Sequence, residues 1–169
     1  HEASRNNLEL QHTLKPLPSL RMVWGGEVRS EKVRSPRYFN KSSVKNELQR
    51  VFGNAEWRVQ PNLLLNVGAM WEDNDITGSD VSPRLALNYH VRPGHTLRAS
   101  ISEANRMPVL LEEYADTRVQ VGPLLRRELF SSGNLRPEQI RTLELGYLGS
   151  LAQDKLTLDL RLHYDRVED

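Results

Sequence analysis

Cysteine is absent from the 169 residues, which removes disulfides, thiolate metal sites and cysteine nucleophiles together. No run of about eighteen apolar residues occurs, so no transmembrane helix is written in the chain. An excess of one charge is missing as well: 23 Lys and Arg stand against 22 Asp and Glu, a formal net charge of +1. Nucleic-acid partners, which require a basic excess, are therefore not expected. The opening His1-Glu2-Ala3 has neither an initiator methionine nor a charged-then-apolar signal segment, and the chain reads as a piece of a longer protein. A mean hydropathy of −0.59 suits a soluble protein. It equally suits a membrane barrel, in which only alternate residues meet lipid.

What is present is period-two alternation, the mark of strands with two differently solvated faces. Leu156, Leu158, Leu160, Leu162 and Tyr164 alternate with Thr157, Asp159, Arg161, His163 and Asp165. Leu85, Leu87, Tyr89 and Val91 alternate with Arg84, Ala86, Asn88, His90 and Arg92. The same contrast, less perfect, marks Leu97 to Ile101, Leu143 to Tyr147, Leu63 to Trp71 (spoiled by Leu64 and Met70), Leu8 to Leu14, Leu20 to Val28 and Val51 to Val59. Helical spacing fits none of these windows. The pattern predicts about eight strands.

The connections alternate between short and long. Lys15–Ser19, Gln60–Asn62, Pro93-Gly94 and Ala152–Asp154 are compact, whereas Lys32–Ser43, Glu72–Val81 and above all Glu103–Pro137 are long. An antiparallel up-and-down meander with every long connection at one end is the plan of an outer-membrane barrel, with short periplasmic turns and long external loops. Trp57, Trp71 and Tyr164 fall toward strand ends, where an interfacial aromatic girdle belongs. The competing reading is the core of a soluble all-β binding module or enzyme, whose apolar faces would meet a second sheet.

Several segments then resemble, in order and at the right spacing, the TonB-dependent outer-membrane receptors. Val81-Ser82-Pro83-Arg84-Leu85-Ala86-Leu87-Asn88-Tyr89 resembles their "SPRLALNY" strand, and His95 to Ser100 the strand after it. Asn105-Arg106-Met107-Pro108 is similar to the "FRAP" segment. Asn134-Leu135-Arg136-Pro137-Glu138 with Leu143-Glu144-Leu145-Gly146-Tyr147 resembles "NLKPE…ELGY", and Leu156 to Asp165 resembles "LSLDLALFYNR". The likeness is strongest over 52–71 and 82–165. It implies an all-β fold in which this meander is part of a larger transmembrane barrel enclosing an N-terminal plug. It also implies an outer-membrane location and uptake of a scarce nutrient, such as a ferric siderophore or cobalamin, energised by TonB. Partners implied are outer-membrane lipid, the plug of the same full-length chain, TonB through an N-terminal region, and a chelated metal or similar cargo. No plug-like segment, TonB-contacting box or terminal aromatic residue is found, so residues 1–169 are expected to be a partial barrel domain lacking plug, signal peptide and C-terminal strands. The runner-up is another outer-membrane barrel, a porin or secretion pore.

Candidate sites follow from both readings. No enzyme is expected: GxSxG is absent and no nucleophile has an evident base. No cofactor is expected either, and His1, His12, His90, His95 and His163 make no pair at metal-ligand spacing. The stretch Arg29, Lys32, Arg34, Arg37, Lys41 and Lys45, with Tyr38 and Phe39 inside it, reads as a solvated external loop able to attract an anion. Arg34, Arg37, Tyr38, Arg84, Arg98, Arg106 and Arg161 are the candidate contacts to cargo in loop or lumen. Ser82, Pro83, Arg84, Pro108, Pro137, Glu138, Glu144, Gly146 and Tyr147 belong to the family signature and are expected to be structural. Glu112-Glu113 are expected in a loop that forms a short helix, Val109 to Tyr114, as a wet charged face. Gly25-Gly26 is expected at a bulge or close backbone approach.

Overall fold

The computed structural model describes residues 2–39, 41–152 and 155–168. The strands are β1 (Glu2–Leu17), β2 (Leu20–Arg34), β3 (Val44–Gln60), β4 (Leu63–Asn74), β5 (Gly78–Arg92) and β6 (His95–Arg106). A short helix α1 (Leu110–Tyr114) and a hairpin of β7 (Asp116–Val121) and β8 (Leu124–Phe130) follow, then β9 (Glu138–Leu151) and β10 (Leu156–Glu168). The main sheet has eight strands in the order β1-β2-β3-β4-β5-β6-β9-β10, every neighbouring pair antiparallel. It is the expected meander, with β7–β8 as a separate two-stranded sheet inside the longest connection.

Two connections are shorter than expected. The β4–β5 link is only Asp75-Ile76-Thr77, because the Asn74 side-chain carbonyl accepts from the backbone N–H of Ile76 (2.9 Å) and Thr77 (3.0 Å) and closes a turn. Gly78 supplies the positive φ of 77° that follows. The β2–β3 link spans 35–43, since the ladder continues out to Lys32 opposite Lys45 and Val33 opposite Val44. At the other end, Pro18-Ser19, Pro61-Asn62 and Pro93-Gly94 make the tight turns expected. Gln153 and Asp154 lie outside the described residues.

Register aligns the apolar alternation of every strand. Leu14, Met22, Ala55, Val67, Leu85, Ile101, Leu143 and Tyr164 are successive partners in one line across all eight strands. Among the described residues nothing covers this face: Leu160 is 54% and Leu162 75% exposed, so the leucines of the last strand are not buried in a closed centre formed by these residues.

The apolar band does not run parallel to the register. On β1 it extends from Leu8 to Leu17 and on β4 from Leu63 to Trp71, whereas on β10 it extends from Leu156 to Tyr164. Tyr164 aligns with Leu14, not Leu8, so the upper edge descends six residues (14 − 8) across the seven strand steps from β1 to β10. With about 3.3 Å per residue and about 4.8 Å between strands, that drift corresponds to strands tilted by about 30°, near the range of closed barrels. The nine or so residues of the β4 and β10 runs are long enough to cross a hydrocarbon layer at such a tilt. Trp71 and Tyr164 sit on the upper edge, and Trp57 one residue pair above Val59 on the lower.

Candidate functional site

The opposite face is polar and is covered at its loop end. There burial alternates along β3: Val44, Asn46 and Leu48 are buried, Lys45, Glu47 and Gln49 exposed. The cover is the folded β6–β9 connection together with 35–43. Phe39, Val44 and Leu110 form a small core, with Val33, Ile76 and Tyr114 packed against it. Backbone bonds tie the pieces: Asp116 N–H to the Tyr38 carbonyl (2.8 Å) and Ser131 N–H to the Ala115 carbonyl (2.8 Å).

Carboxylates and one arginine pin the helix. Glu112 accepts from the Val109 N–H (2.9 Å) and from Arg106 Nη2 (2.7 Å). These two contacts, the backbone donor first, hold the Glu112 carboxyl below its ordinary range. Arg106 also reaches Glu138 at 3.1 Å. Glu113 is not the expected wet residue but is buried, its carboxylate accepting from the backbone N–H of Asn134 (2.8 Å) and Leu135 (3.1 Å). The correction has a simple cause: adjacent helical residues point in different directions, and Glu113 points at the backbone N–H groups of Asn134 and Leu135.

Beneath this cover lies a cavity of about 450 Å³, lined by Arg5, Arg29, Glu31, Tyr38, Asn46, Glu72, Asn74 and the segment Met107–Leu111, among others. Three of its lining residues each hold a buried side-chain atom without a hydrogen-bond partner: Arg29 Nε, Asn46 Oδ1 and Asn74 Nδ2. Arg29 Nε does lie 3.4 Å from a Glu31 oxygen, an ionic contact lacking hydrogen-bond geometry. Buried polar atoms are normally paired, so two donors and one acceptor left without hydrogen bonds set these residues apart. On the cavity's floor side, Arg50 bridges Glu27 (2.9 Å) and Glu72 (2.8 Å).

The candidate cargo contacts do not converge. Arg34 is at the end of β2 on the side continuing the apolar face, and Arg37 and Tyr38 are in the loop; of these three, Tyr38 lines the cavity. Lys32 and Lys45 also point to the apolar-face side while Arg29 points to the other, so the basic stretch is divided between two faces. Arg84, Arg98 and Arg161 stand far down the polar face, Arg98 and Arg161 flanking Gly146 in register. Arg106 is occupied by Glu112 and Glu138.

Of the signature positions, Ser82 and Glu144 share the polar face, Pro83 faces Ala69 on the apolar one, and Pro108 lines the cavity. Pro137 immediately precedes β9. Tyr147 pairs through its hydroxyl with His95 Nδ1 at 2.6 Å near the turn end. At Gly25 an added Cβ would lie 2.5 Å from the Leu10 carbonyl and from the Phe52 ring, the close approach expected there. The Asn46, Asn74 and Arg50–Glu27–Glu72 groups carried no sequence signal, being polar residues on an already polar face. Among the described residues no group of three His, Asp or Glu is placed to hold a metal ion.

Comparison with known proteins agrees with this architecture. The family model "TonB dependent receptor-like, beta-barrel" matches residues 3–169, and the chain belongs to that family of outer-membrane transport receptors. Among solved structures it is similar to the siderophore receptor PirA from Pseudomonas aeruginosa (20% identity, TM-score 0.80, 98% of this chain and 32% of that one). It is also similar to PirA from Acinetobacter baumannii (17%, TM-score 0.76, 99% and 27%). A third likeness is to the Pseudomonas aeruginosa ferric enterobactin receptor PfeA, a Q482A mutant in complex with enterobactin (20%, TM-score 0.76, 98% and 27%). The chain thus spans about a third or less of the length of these structures. No curated protein sequence matches it.

Proposed function

We propose that these residues form part of the barrel wall of a TonB-dependent receptor that imports a ferric siderophore across the outer membrane. The observation that carries the reading is the cavity at the loop end of the polar face, whose lining residues Arg29, Asn46 and Asn74 each hold a buried polar atom without a hydrogen bond. The two-faced sheet supplies the rest. Its apolar side suits lipid and its polar side a lumen, and its unpaired edges β1 and β10 require further strands, because backbone groups in hydrocarbon must all be bonded. The plug, the remaining strands and the TonB contact belong to the rest of the receptor in this reading. The cavity contributes wall contacts to an oxygen-rich chelate, with Tyr38 in its lining and Arg29 and Asn74 as donors.

The test is uptake of radiolabelled iron, supplied as catecholate and hydroxamate chelates, by cells carrying the full-length receptor as their sole siderophore route. Uptake that needs TonB and falls at least tenfold for one chelate class in the N46A/N74A variant is expected. Uptake of neither class, or transport that persists without TonB, overturns the proposal and favours a pore.

A further inference from the structure

Three arginines of the polar face have a carboxylate at hand. Arg50 holds Glu27 and Glu72, Arg161 holds Asp159 at 2.7 Å, and Arg21 stands opposite Glu56 in register. Arg84 has none. Its register partners are Gly68 on β4 and Ser102 on β6, and its neighbours along the same face of β5 are Ser82 and Ala86. The diagonal positions, Asn66 and Met70 on one side and Ser100 and Ala104 on the other, are uncharged as well. The first carboxylate on its register line is Asp165, three strands away and already accepting from Thr142 at 2.7 Å. Among the described residues the exposed Arg84 side chain makes no hydrogen bond or ion pair, and neither do the hydroxyls of Ser100 and Ser102.

Depth makes this isolation significant. Gly68 adjoins Val67, the middle of the β4 apolar run from Leu63 to Trp71, so Arg84 stands at mid-height of the apolar band. The thickness of one sheet separates it from hydrocarbon, where an unbalanced charge is strongly destabilising. A lone ionised side chain at that depth, turned to the lumen, marks a path for the opposite charge. The wall around it is recessed: Gly68 and Ala86 flank it with little side chain, and Asn54 leans over Gly68, its Oδ1 2.9 Å from where a Cβ would stand. The recess is not the loop-end cavity. Glu72, the nearer of the two cavity residues on β4, is four residues (72 − 68) beyond Gly68, about 13 Å along the strand.

We propose that Arg84 is the point on this wall that speeds an anionic ferric chelate through the lumen, its guanidinium donating to the chelate's anionic oxygens with Ser100 and Ser102 beside it. The assignment rests on the import reading above and adds to it the charge of the cargo and the step served. Capture belongs to the cavity and passage to Arg84. The arginine acts through its charge: it lowers the electrostatic barrier that a polyanion meets at mid-membrane and offers nothing to a neutral chelate.

The experiment uses cells carrying the full-length receptor as their sole siderophore route. It measures two quantities separately, chelate affinity in cells without energy and initial uptake rate in energised ones. Radiolabelled iron is supplied as an anionic tris-catecholate and as a neutral tris-hydroxamate. R84Q is expected to bind the catecholate as wild type does but to import it about tenfold more slowly, on the scale of charge-focused rates. R84K is expected to keep the rate. S102D places a carboxylate directly opposite Arg84 and is expected to slow import as R84Q does, which decides the matter if heat-modifiable gel mobility shows R84Q unfolded. Uptake of neither chelate by wild type overturns the import reading and this inference together. Uptake of the neutral chelate alone, an R84Q or S102D rate equal to wild type, an R84K rate as low as that of R84Q, or an affinity that falls in step with the rate overturns the Arg84 assignment and leaves import standing.

Discussion

Arg50 donates from Nε to the Glu72 carboxylate across the β3–β4 ladder at 2.8 Å, and its Nη2 reaches the same oxygen. A third donor, Nη1, meets Glu27 on β2 at 2.9 Å. Both glutamates are buried, so one guanidinium serves two carboxylates with little water to share the task. Removing it leaves two buried carboxylates, on the strands either side of β3, without the guanidinium that pairs them. R50A is expected to destabilise the barrel by about 3 kcal/mol, at the lower end for a broken buried pair because Arg50 is itself partly exposed. Urea unfolding in micelles measures this, and E72Q placed on R50A should recover part of the loss. A cost below about 1 kcal/mol would show that solvent reaches the trio freely.

Glu113 links α1 to the segment ahead of β9 through two backbone donors. E113A deprives both N–H groups of their acceptor, a local cost of about 1–3 kcal/mol. Proteolysis within 131–137 should accelerate while hydrogen exchange in β9 and β10 stays unchanged. An unchanged cleavage rate would mean that the small Phe39–Val44–Leu110 core holds the connection alone.

Glu112 gives the same region a pH dependence of known sign. Its carboxyl is held below the ordinary value of 4.5, first by the Val109 N–H and then by Arg106. A depressed carboxyl contributes its stabilisation above the unfolded value and loses it as pH falls through the lower, folded value. Helix α1 is therefore expected to keep its protection above the ordinary carboxylate range and to open as pH falls through the depressed value of Glu112. Hydrogen exchange over 110–114, corrected for intrinsic rate, reads this, and E112Q should flatten the profile. An equally steep profile in E112Q would assign the titration to another group.

How much of this was visible beforehand depends on what each residue touches. Leu156 to Asp165 was legible because lipid on one side and water on the other force a strict contrast between neighbours. Along Arg29–Arg34, Val44–Gln49 and Glu72–Asn74 the strands pass beyond the band, with water on one side and on the other a mixed cover in which Val44 and Leu48 are buried beside Asn46, Glu72 and Asn74. The contrast fades there, although the ladder continues, so these stretches read as loops. Asn74 looked like part of an open connection yet folds its own side chain into a three-residue turn. Glu113 looked solvated because its acceptors' partners, Asn134 and Leu135, lie far along the chain. Pairing with distant backbone leaves no local pattern. The same holds for Arg50, whose two glutamates come from different strands.

The drift of the apolar band against the register makes a test that sequence alone does not offer. Val67 and Leu143 lie on one register line, joined through Leu85 and Ile101. If depth followed register, an arginine would cost the same at either place. With tilted strands Val67 is the midpoint of the β4 run from Leu63 to Trp71, whereas Leu143 is the upper limit of the β9 run. V67R is therefore expected to cost about 2–4 kcal/mol and L143R about 1 kcal/mol or less, following the depth dependence of charges on barrel surfaces. Ser100, on the polar face between the same strands, should accept arginine at little cost. Refolding titrations of the full-length barrel into lipid vesicles compare the three. Equal penalties for V67R and L143R would mean that the band is level with the register, and the tilt of about 30° deduced from its drift would be wrong.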